Sequence, residues 1–409
     1  MKIALIHDYL REYGGAERVI EALHDIWPEA PLFTAFVDGK SLGRHTQRFK
    51  HWDIRTSWAQ GNPFIKKFIS PLRFLAPNIW ESFDLSPYDV VISSSGWFMC
   101  RGVNAGSRIS QISQGLALKT RPQGEALKRS LHICYIHHPP RNLYGYATGS
   151  DLQKYWPVRA YAAVINFFLR HYDFETAQRV DYFIANSKET ARRVAKFYRR
   201  DSTVIYPPIE IPEEISKGDA LRTQGVPLLK REYFLSVGRL TYAKRIDLAI
   251  IASNKLKLPL KIVGVGKEEA YLRSIAGPTI EFLGSVSDSE LAQLYAGAKA
   301  LIFCALDEDF GMVPVEAMAY GTPVIALAQG GVLETVVDAR SASSGQGPTG
   351  VFFDKPEVRE LVAAIKRFNN DYKIYKDYHC YNQAKKFSKE RFKKQVAAFV
   401  DESFKKHVQ

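Results

Sequence analysis

Cysteine is scarce in this chain: there are four in 409 residues, and Cys100, Cys134, Cys304 and Cys380 form no Cys-x-x-Cys pair. Thiols scattered in this way read as single buried residues in a reducing compartment and leave no disulfide framework. Long hydrophobic runs are missing too, since no stretch approaches the ~20 apolar residues that span a bilayer. The apolar opening, 2–6, stops at His7 and Asp8, so it is expected to be a first strand and not part of a signal peptide. No internal repeat, zinc-finger spacing or RNA-binding aromatic motif is found, which argues against a nucleic-acid partner. Acidic charge is the scarcer sign: 43 Asp and Glu stand against 56 Lys and Arg, a formal net charge of +13. Such a surface favours anionic partners, either phosphate donors or acidic lipid headgroups.

The chain is long enough for two domains, and at 46% hydrophobic content each can bury a core. Strand-like and helix-like segments alternate throughout, which predicts an α/β fold with parallel sheets. Pro207-Pro208 and the polar run to Gly218 mark a linker, so the division falls between 1–208 and 209–387.

The densest chemistry lies in 300–331. A buried strand leads into a tight loop at 307–311. A helix is expected at 314–320, with Pro314 in its first turn and Gly321 as its stop, and 324–327 is the next strand. Glu308 lies in the loop and Glu316 on the helix. The amides of Phe310, Gly311, Met312 and Val313 fall at the helix N-terminus, where free N–H groups and the macrodipole attract phosphate. One carboxylate can take sugar hydroxyls and the other the two hydroxyls of a ribose. An ordinary βαβ unit with solvent-facing acids would show the same spacing. Asp307-Glu308-Asp309 is also formally an Asp-x-Asp, a pattern some transferases use to bind a divalent metal.

Glu308 through Glu316, with Phe310-Gly311 between them and Glu-Ala-Met-Ala-Tyr-Gly-Thr-Pro-Val-Ile following, resembles the Glu-x7-Glu signature of the retaining glycosyltransferases of family 4. That resemblance implies the GT-B fold: two Rossmann-like domains with parallel sheets facing across a cleft, and a last helix, 388–409, that crosses back to the first domain. This chain has Glu-Asp-Phe-Gly where the family usually has Glu-Gly-Phe-Gly. The family's Gly-Arg-Leu…Lys element matches Gly238-Arg239-Leu240 and Lys244, although Arg245 replaces the glycine usual after the lysine. Two permanent cations beyond a strand suit a diphosphate. The resemblance places the nucleotide base near Gly264, Gly266 and the 284–286 backbone, including Val286. It also places Gly14 and Gly15 beside the donor's diphosphate and sugar.

In the first domain, Tyr135-Ile136-His137-His138-Pro139-Pro140-Arg141 resembles a segment of polysaccharide mannosyltransferases in that family. There the first His faces the donor sugar, so His137 is preferred to His138 and Arg141 is placed at the donor. A structural histidine is the alternative. The stretch 58–80 carries Phe64, Phe68 and Phe74 with Lys66, Lys67 and Arg73 interleaved. It reads either as an interfacial helix broken at Pro71 and lying on anionic lipid, or as a helix packed on its own domain. The segment 104–129 reads as a long polar loop, 152–179 as a long helix and 338–350 as a loop. The terminal helix has an apolar stripe, Phe392, Val396, Phe399, Val400 and Phe404, and a lysine-rich opposite face.

The function these readings imply is retaining hexosyl transfer from a nucleotide-diphospho-sugar, with no metal and no other cofactor. His137, Glu308, Arg239 and Lys244 are the catalytic candidates. GDP-mannose is the first choice of donor and a UDP-sugar the runner-up. A glycan or polyprenyl-linked glycan is the acceptor, in surface polysaccharide assembly. The expected location is the cytoplasm, with peripheral contact at the inner face of the plasma membrane. Phosphorylases and sugar-nucleotide epimerases share the fold, and a non-catalytic sugar-nucleotide-binding protein is the remaining alternative.

Overall fold

A computed structural model of the chain describes residues 1–105, 129–148, 155–213, 231–341 and 347–409. Most of the 104–129 segment, the start expected for the helix at 152, the end of the linker at Gly218 and the middle of the 338–350 loop lie outside those residues. The chain forms two compact units. One comprises Met1–Gly145, Trp156–Pro208 and Phe392–Gln409, and the other comprises Tyr146–Tyr155 and Ile209–Arg391. The boundary after Pro208 is where the proline pair falls. The short segment Tyr146–Tyr155 groups with the second unit, although it lies inside the 1–208 span.

The first unit is built on seven parallel strands. These are β1 (Ile3–His7), β2 (Leu32–Thr34), β3 (Ile54–Thr56), β4 (Val90–Ser95), β5 (Leu131–Ile136), β6 (Tyr182–Ala185) and β7 (Thr203–Val204). Their order is β3-β2-β1-β4-β5-β6-β7. The sheet therefore reverses its direction of growth between β1 and β4. In open α/β sheets ligands bind at the carboxyl ends beside such a reversal. Val19, Ile20 and Leu23 of the helix Gly15–Ile26 fall on one face at helical spacing and are fully buried on one side of the sheet. Phe392, Val396 and Val400 of the terminal helix, Lys389–Val408, join the same core. The other face of the sheet is covered by Trp80, Phe98, Leu143 and Leu169.

The second unit has six parallel strands: β8 (Tyr233–Val237), β9 (Leu260–Val263), β10 (Ile280–Gly284), β11 (Ala298–Phe303), β12 (Val324–Leu327) and β13 (Gly350–Phe353). Their order is β10-β9-β8-β11-β12-β13, so the reversal lies between β8 and β11. The inner strands read as near-continuous apolar runs, as expected where both faces are covered. Ile302, Ile325 and Val351 share one core with Ile250 and Ile365 of the flanking helices.

The stretch 58–80 is not one helix. It divides into short pieces, Trp58–Gly61, Pro63–Lys67, Arg73–Leu75 and Ala76–Trp80, and the α-helical piece Pro63–Lys67 is capped by Phe68, before Pro71. Ile65, Ile69, Ile79 and Trp80 face the core. Burying these four takes the backbone off a single helical axis. All four cysteines are buried and unpaired. Among the described residues no helix is long and apolar enough to cross a membrane.

Candidate functional site

In the second unit the loops after β8 and β11 meet at the reversal point. The loop after β8 ends in a turn, Tyr242–Lys244, which is tied to the loop after β11 by a bond from the Leu306 amide to the Ala243 carbonyl (2.8 Å). This places the Lys244 Nζ 2.7 Å from Glu308 Oε2, with both side chains partly exposed. The position after the lysine has φ +47°, a left-handed conformation that glycine adopts freely and other residues only at a cost of about 1–2 kcal/mol. Arg245 occupies it here and is fixed by a two-pronged ion pair with Asp247, at 3.0 Å for both Nε–Oδ1 and Nη2–Oδ2. The departure from the family glycine is thus held by a local partner. Arg239 is exposed at the carboxyl end of β8.

Gly264 and Gly266 have a reason that is independent of any ligand. A Cβ on Gly264 would come within 1.9 Å of the Gly238 carbonyl oxygen, and one on Gly266 within 2.2 Å of that of Leu240. Bonds from the Gly238 and Leu240 amides to Val263 and Val265 lock the two loops together (3.0 Å each). These glycines therefore let the loop that carries Arg239 pack tightly on its neighbour. Val286 follows the end of the edge strand β10 and is half-buried, two strands from the reversal point.

The helix on the acidic side is Met312–Ala319, two residues earlier than the sequence suggested, because Gly311 (φ +86°) forms its N-cap and Pro314 falls in its first turn. Phe310 is buried against Phe387, so the backbone of Gly311, Met312 and Val313 is anchored from beneath. Glu316 is half-buried, and its Oε2 accepts from the Tyr295 hydroxyl at 2.9 Å. Tyr295 itself is buried, from a helix that sequence spacing does not link to Glu316. Asp307 lies in the left-handed region at φ +51°. Its carboxylate accepts from Gln329 Nε2 and from the Ala147 amide, both at 3.0 Å. Gly330 and Gly331 back the loop: a Cβ on either would come within 2.2 Å of the Glu308 or Asp309 carbonyl oxygen. Tyr295, Gln329 and this glycine pair are supporting residues that the sequence reading did not single out. Gln329 and the two glycines are consecutive in sequence, a local turn signal, whereas Tyr295 has none.

In the first unit His137 follows β5 at the carboxyl edge of the sheet. Its amide donates to Ser95 O (2.9 Å), and its carbonyl accepts from Asn186 Nδ2 (2.9 Å) and Thr190 Oγ1 (3.3 Å). The ring is buried, with Nε2 2.8 Å from Ser94 Oγ. His138 is turned toward the Pro139 carbonyl (3.0 Å). Arg141 starts the short helix Arg141–Tyr144 that follows the proline pair.

Gly14 and Gly15 stand at the start of the first unit's opening helix. Gly14 caps the helix Gly15–Ile26, but its amide donates to Glu17 Oε2 at 2.8 Å. That amide therefore has the chain's own carboxylate as its acceptor. Asp8, at the reversal point of the same sheet, behaves alike: its Oδ2 accepts from the Gly96 and Phe98 amides (3.0 and 3.1 Å), and its Oδ1 from that of Cys100 (2.9 Å). His137 belongs to one unit, and Arg239, Lys244, Glu308 and Glu316 to the other.

Residues 219–387 match the family described as Glycosyl transferases group 1. Alpha-1,3/1,6-mannosyltransferase ALG2 of Kluyveromyces lactis is 32% identical over 215 residues, 42% of each chain. D-inositol 3-phosphate glycosyltransferase of Nocardioides sp. is 27% identical over 225 residues, 47% of each. The matches thus span less than half the length of these relatives. Among solved structures, Anabaena Alr3699/HepE in complex with UDP and glucose superposes with a TM-score of 0.66 at 18% identity, over 98% of this chain and 99% of that one. The fold is therefore that of the GT-B glycosyltransferases, with two Rossmann-like units.

Proposed function

We propose that this chain is a metal-independent, retaining glycosyltransferase that moves a sugar from a nucleotide-diphospho-sugar to a glycan or polyprenyl-linked glycan in surface polysaccharide assembly. The observation that carries the reading is the reversal point of the second sheet, where Lys244 pairs with Glu308 beside the capped helix bearing Glu316. In this reading Arg239 and Lys244 neutralise the diphosphate and stabilise charge growing on the leaving group, a preorganised electrostatic role that needs no ion. The amides at the start of the helix Met312–Ala319 take phosphate oxygens. Glu316, oriented by Tyr295, holds the ribose hydroxyls. Glu308 fixes the sugar and shields positive charge at the anomeric carbon. His137 is assigned to the donor sugar by the likeness of its segment to that of polysaccharide mannosyltransferases. Retention follows from front-face attack, with the leaving phosphate taking the acceptor proton.

GDP-mannose is the preferred donor, supported by the likeness to a mannosyltransferase and by the His137-to-Arg141 segment. A UDP-sugar is the competing choice, because the HepE structure holds UDP and glucose. The work site is the inner face of the plasma membrane, reached through peripheral contact. The test is a donor screen with purified protein and polyprenyl-linked acceptors, run with and without excess EDTA. Transfer from GDP-mannose that persists in EDTA, with the anomeric configuration kept in the product, is expected. Complete loss restored by manganese would return Asp307 and Asp309 to consideration as metal ligands. Binding of a nucleotide-sugar without turnover of any donor would leave a binding protein.

A further inference from the structure

We propose that Glu17, acting through His7 and Ser94, sets the proton arrangement of His137, so that the ring offers Nδ1 as a hydrogen-bond acceptor. The importance of this for catalysis rests on the reading of His137 as a donor-site residue; the arrangement itself does not.

Four buried side chains from four elements form one line across the carboxyl end of the first sheet. Glu17 lies on the helix Gly15–Ile26, His7 ends β1, Ser94 is on β4 and His137 follows β5. His7 and Ser94 are register partners on adjacent strands. The contacts run Glu17 Oε1 to His7 Nε2 (3.4 Å), His7 Nδ1 to Ser94 Oγ (3.2 Å) and Ser94 Oγ to His137 Nε2 (2.8 Å).

The direction of the line follows from elementary chemistry. An ionised carboxylate only accepts. The Gly14 amide holds Glu17 in place through the other oxygen. His7 must therefore donate from Nε2, which in a neutral ring leaves Nδ1 as an acceptor. Ser94 has one hydroxyl proton, and His7 Nδ1 takes it. The Ser94 oxygen can then only accept from His137, so His137 carries a proton on Nε2, and in the neutral ring the lone pair is on Nδ1. A neutral ring in this state accepts from a sugar hydroxyl and adds no positive charge next to a centre that becomes electron-poor. Glu17 is a positioning residue here and touches no substrate.

The decisive variant is Glu17→Gln. The Gly14 amide still needs an acceptor, so the glutamine carbonyl turns to it and the amide NH2 faces His7. That reverses His7, then Ser94, and moves the His137 proton to Nδ1. The measurement is 15N NMR of the full-length protein labelled at histidine, above the range in which the rings titrate. The His7 and His137 signals are assigned by their loss in His7→Asn and His137→Asn. The wild type is expected to show both rings protonated at Nε2, and Glu17→Gln to show both at Nδ1. Turnover should fall by about tenfold or more, on the scale of one lost hydrogen bond to a charged or reacting group, with nucleotide affinity little changed. Ser94→Ala is the second variant: His7 should keep its state while His137 loses its fixed one. A wild-type His137 protonated at Nδ1, as an imidazolium at His7 would produce, overturns the proposal. So does a His137 spectrum unaltered in both variants. If the spectra behave as expected but the wild type transfers no sugar, the relay stands and the transferase reading falls.

Discussion

The two units share one architecture and use its most reactive place in opposite ways. Each sheet reverses growth between two neighbouring strands, β1 and β4 in the first, β8 and β11 in the second. In the first unit that point is acidic and self-satisfied: Asp8 takes three backbone amides and Glu17 takes a fourth. In the second it is basic and partly exposed, with Arg239 and Lys244 beside a helix N-terminus. The same topology supplies a self-satisfied acidic shelf in one case and, on the function proposed above, an anion site in the other. The side chains of the first loop after the strand decide which.

The largest expected effect comes from breaking the shelf. Asp8→Ala strips the acceptor from three amides. Each buried unsatisfied donor costs about 1–3 kcal/mol, so the first unit should fail to fold or lose most of its stability. Urea titration followed by tryptophan fluorescence reads this, since five of the six tryptophans in the chain lie before residue 100 (Trp27, Trp52, Trp58, Trp80 and Trp97). A midpoint unchanged from wild type would mean that water replaces the carboxylate and that the shelf is wet.

The next largest effect belongs to the other unit and is kinetic. Lys244→Ala should lower turnover by roughly 10²–10³-fold, the range seen when one preorganised electrostatic group is removed. Its partner Glu308 is only partly buried, so the fold should survive. Loss of stability with unchanged turnover per folded molecule would make the pair structural and erase the contrast between the units.

Acid should also separate the two. His132, on β5, is fully buried, and that burial pushes its pKa down from 6.5 to about 4; the nearby Arg129 and Arg101 push the same way, and Asp181 opposes. The folded state therefore binds fewer protons than the unfolded state between those values. Stability is complete above the unfolded pKa and is lost as pH falls toward 4. The loss should reach roughly 3 kcal/mol, at 1.36 kcal/mol for each pKa unit. His132→Gln should flatten this dependence in the stability of the first unit, measured by urea midpoints across pH. An equally steep fall in the variant would assign the acid sensitivity to other groups.

Within the second unit the two acids should part. Glu316→Ala should weaken binding of free GDP by about 1.5–3 kcal/mol for each charge-assisted hydrogen bond lost. Glu308→Ala should lower turnover more than it weakens GDP. Equal loss of GDP affinity in both variants, with turnover per bound donor unchanged, would merge their roles.

The order of strands and helices was legible because apolar periodicity records burial, and burial is what a parallel sheet imposes. The Glu308-to-Glu316 unit was legible because its parts are adjacent in sequence. What was not legible depends on distance along the chain or on competition between local partners. Tyr295 supports Glu316 from 21 positions away, and no spacing rule links them. The Gly14-Gly15 pair suggested a phosphate, and Glu17 was the overlooked signal: a carboxylate three residues beyond the cap is well placed to take the cap's own amide. The interleaved aromatic and basic residues of 58–80 suggested either an interfacial helix broken at Pro71 or a helix packed on its own domain. Periodicity cannot show that the helical piece Pro63–Lys67 is capped as early as Phe68 while Ile65, Ile69 and Trp80 all reach one core.

That last correction also reshapes the smallest expected effect, which concerns surface and not site. Most of the exposed aromatic residues described in the first unit fall in two segments, Trp58, Phe64, Phe68 and Phe74 in one, Trp156, Tyr161, Phe167, Phe168 and Phe174 in the other. The segments are joined by a bond from the Tyr161 hydroxyl to the Pro71 carbonyl and by Arg73 Nη2 to Asn166 Oδ1 at 2.8 Å. The exposed large apolar residues of the second unit are spread singly along its sequence. If the first unit meets an anionic bilayer, this face is the place for it. Arg73 is committed to Asn166 and to the Ser70 carbonyl, so of the three cations first considered Lys66 and Lys67 remain for headgroups. At about 1 kcal/mol each they give roughly thirtyfold in membrane affinity, and the attraction should fade with salt. The measurement is co-sedimentation with anionic vesicles at low salt. Lys66→Ala with Lys67→Ala should bind about thirtyfold more weakly, while Phe167→Ser with Phe168→Ser should lose binding at all salt concentrations. Arg73→Ala should instead lower the urea midpoint with little change in vesicle binding, because its partner is inside the protein. Vesicle binding that depends on Arg73 as strongly as on the lysines would reopen the contact with Asn166, and no wild-type binding would leave the aromatic face to some other partner.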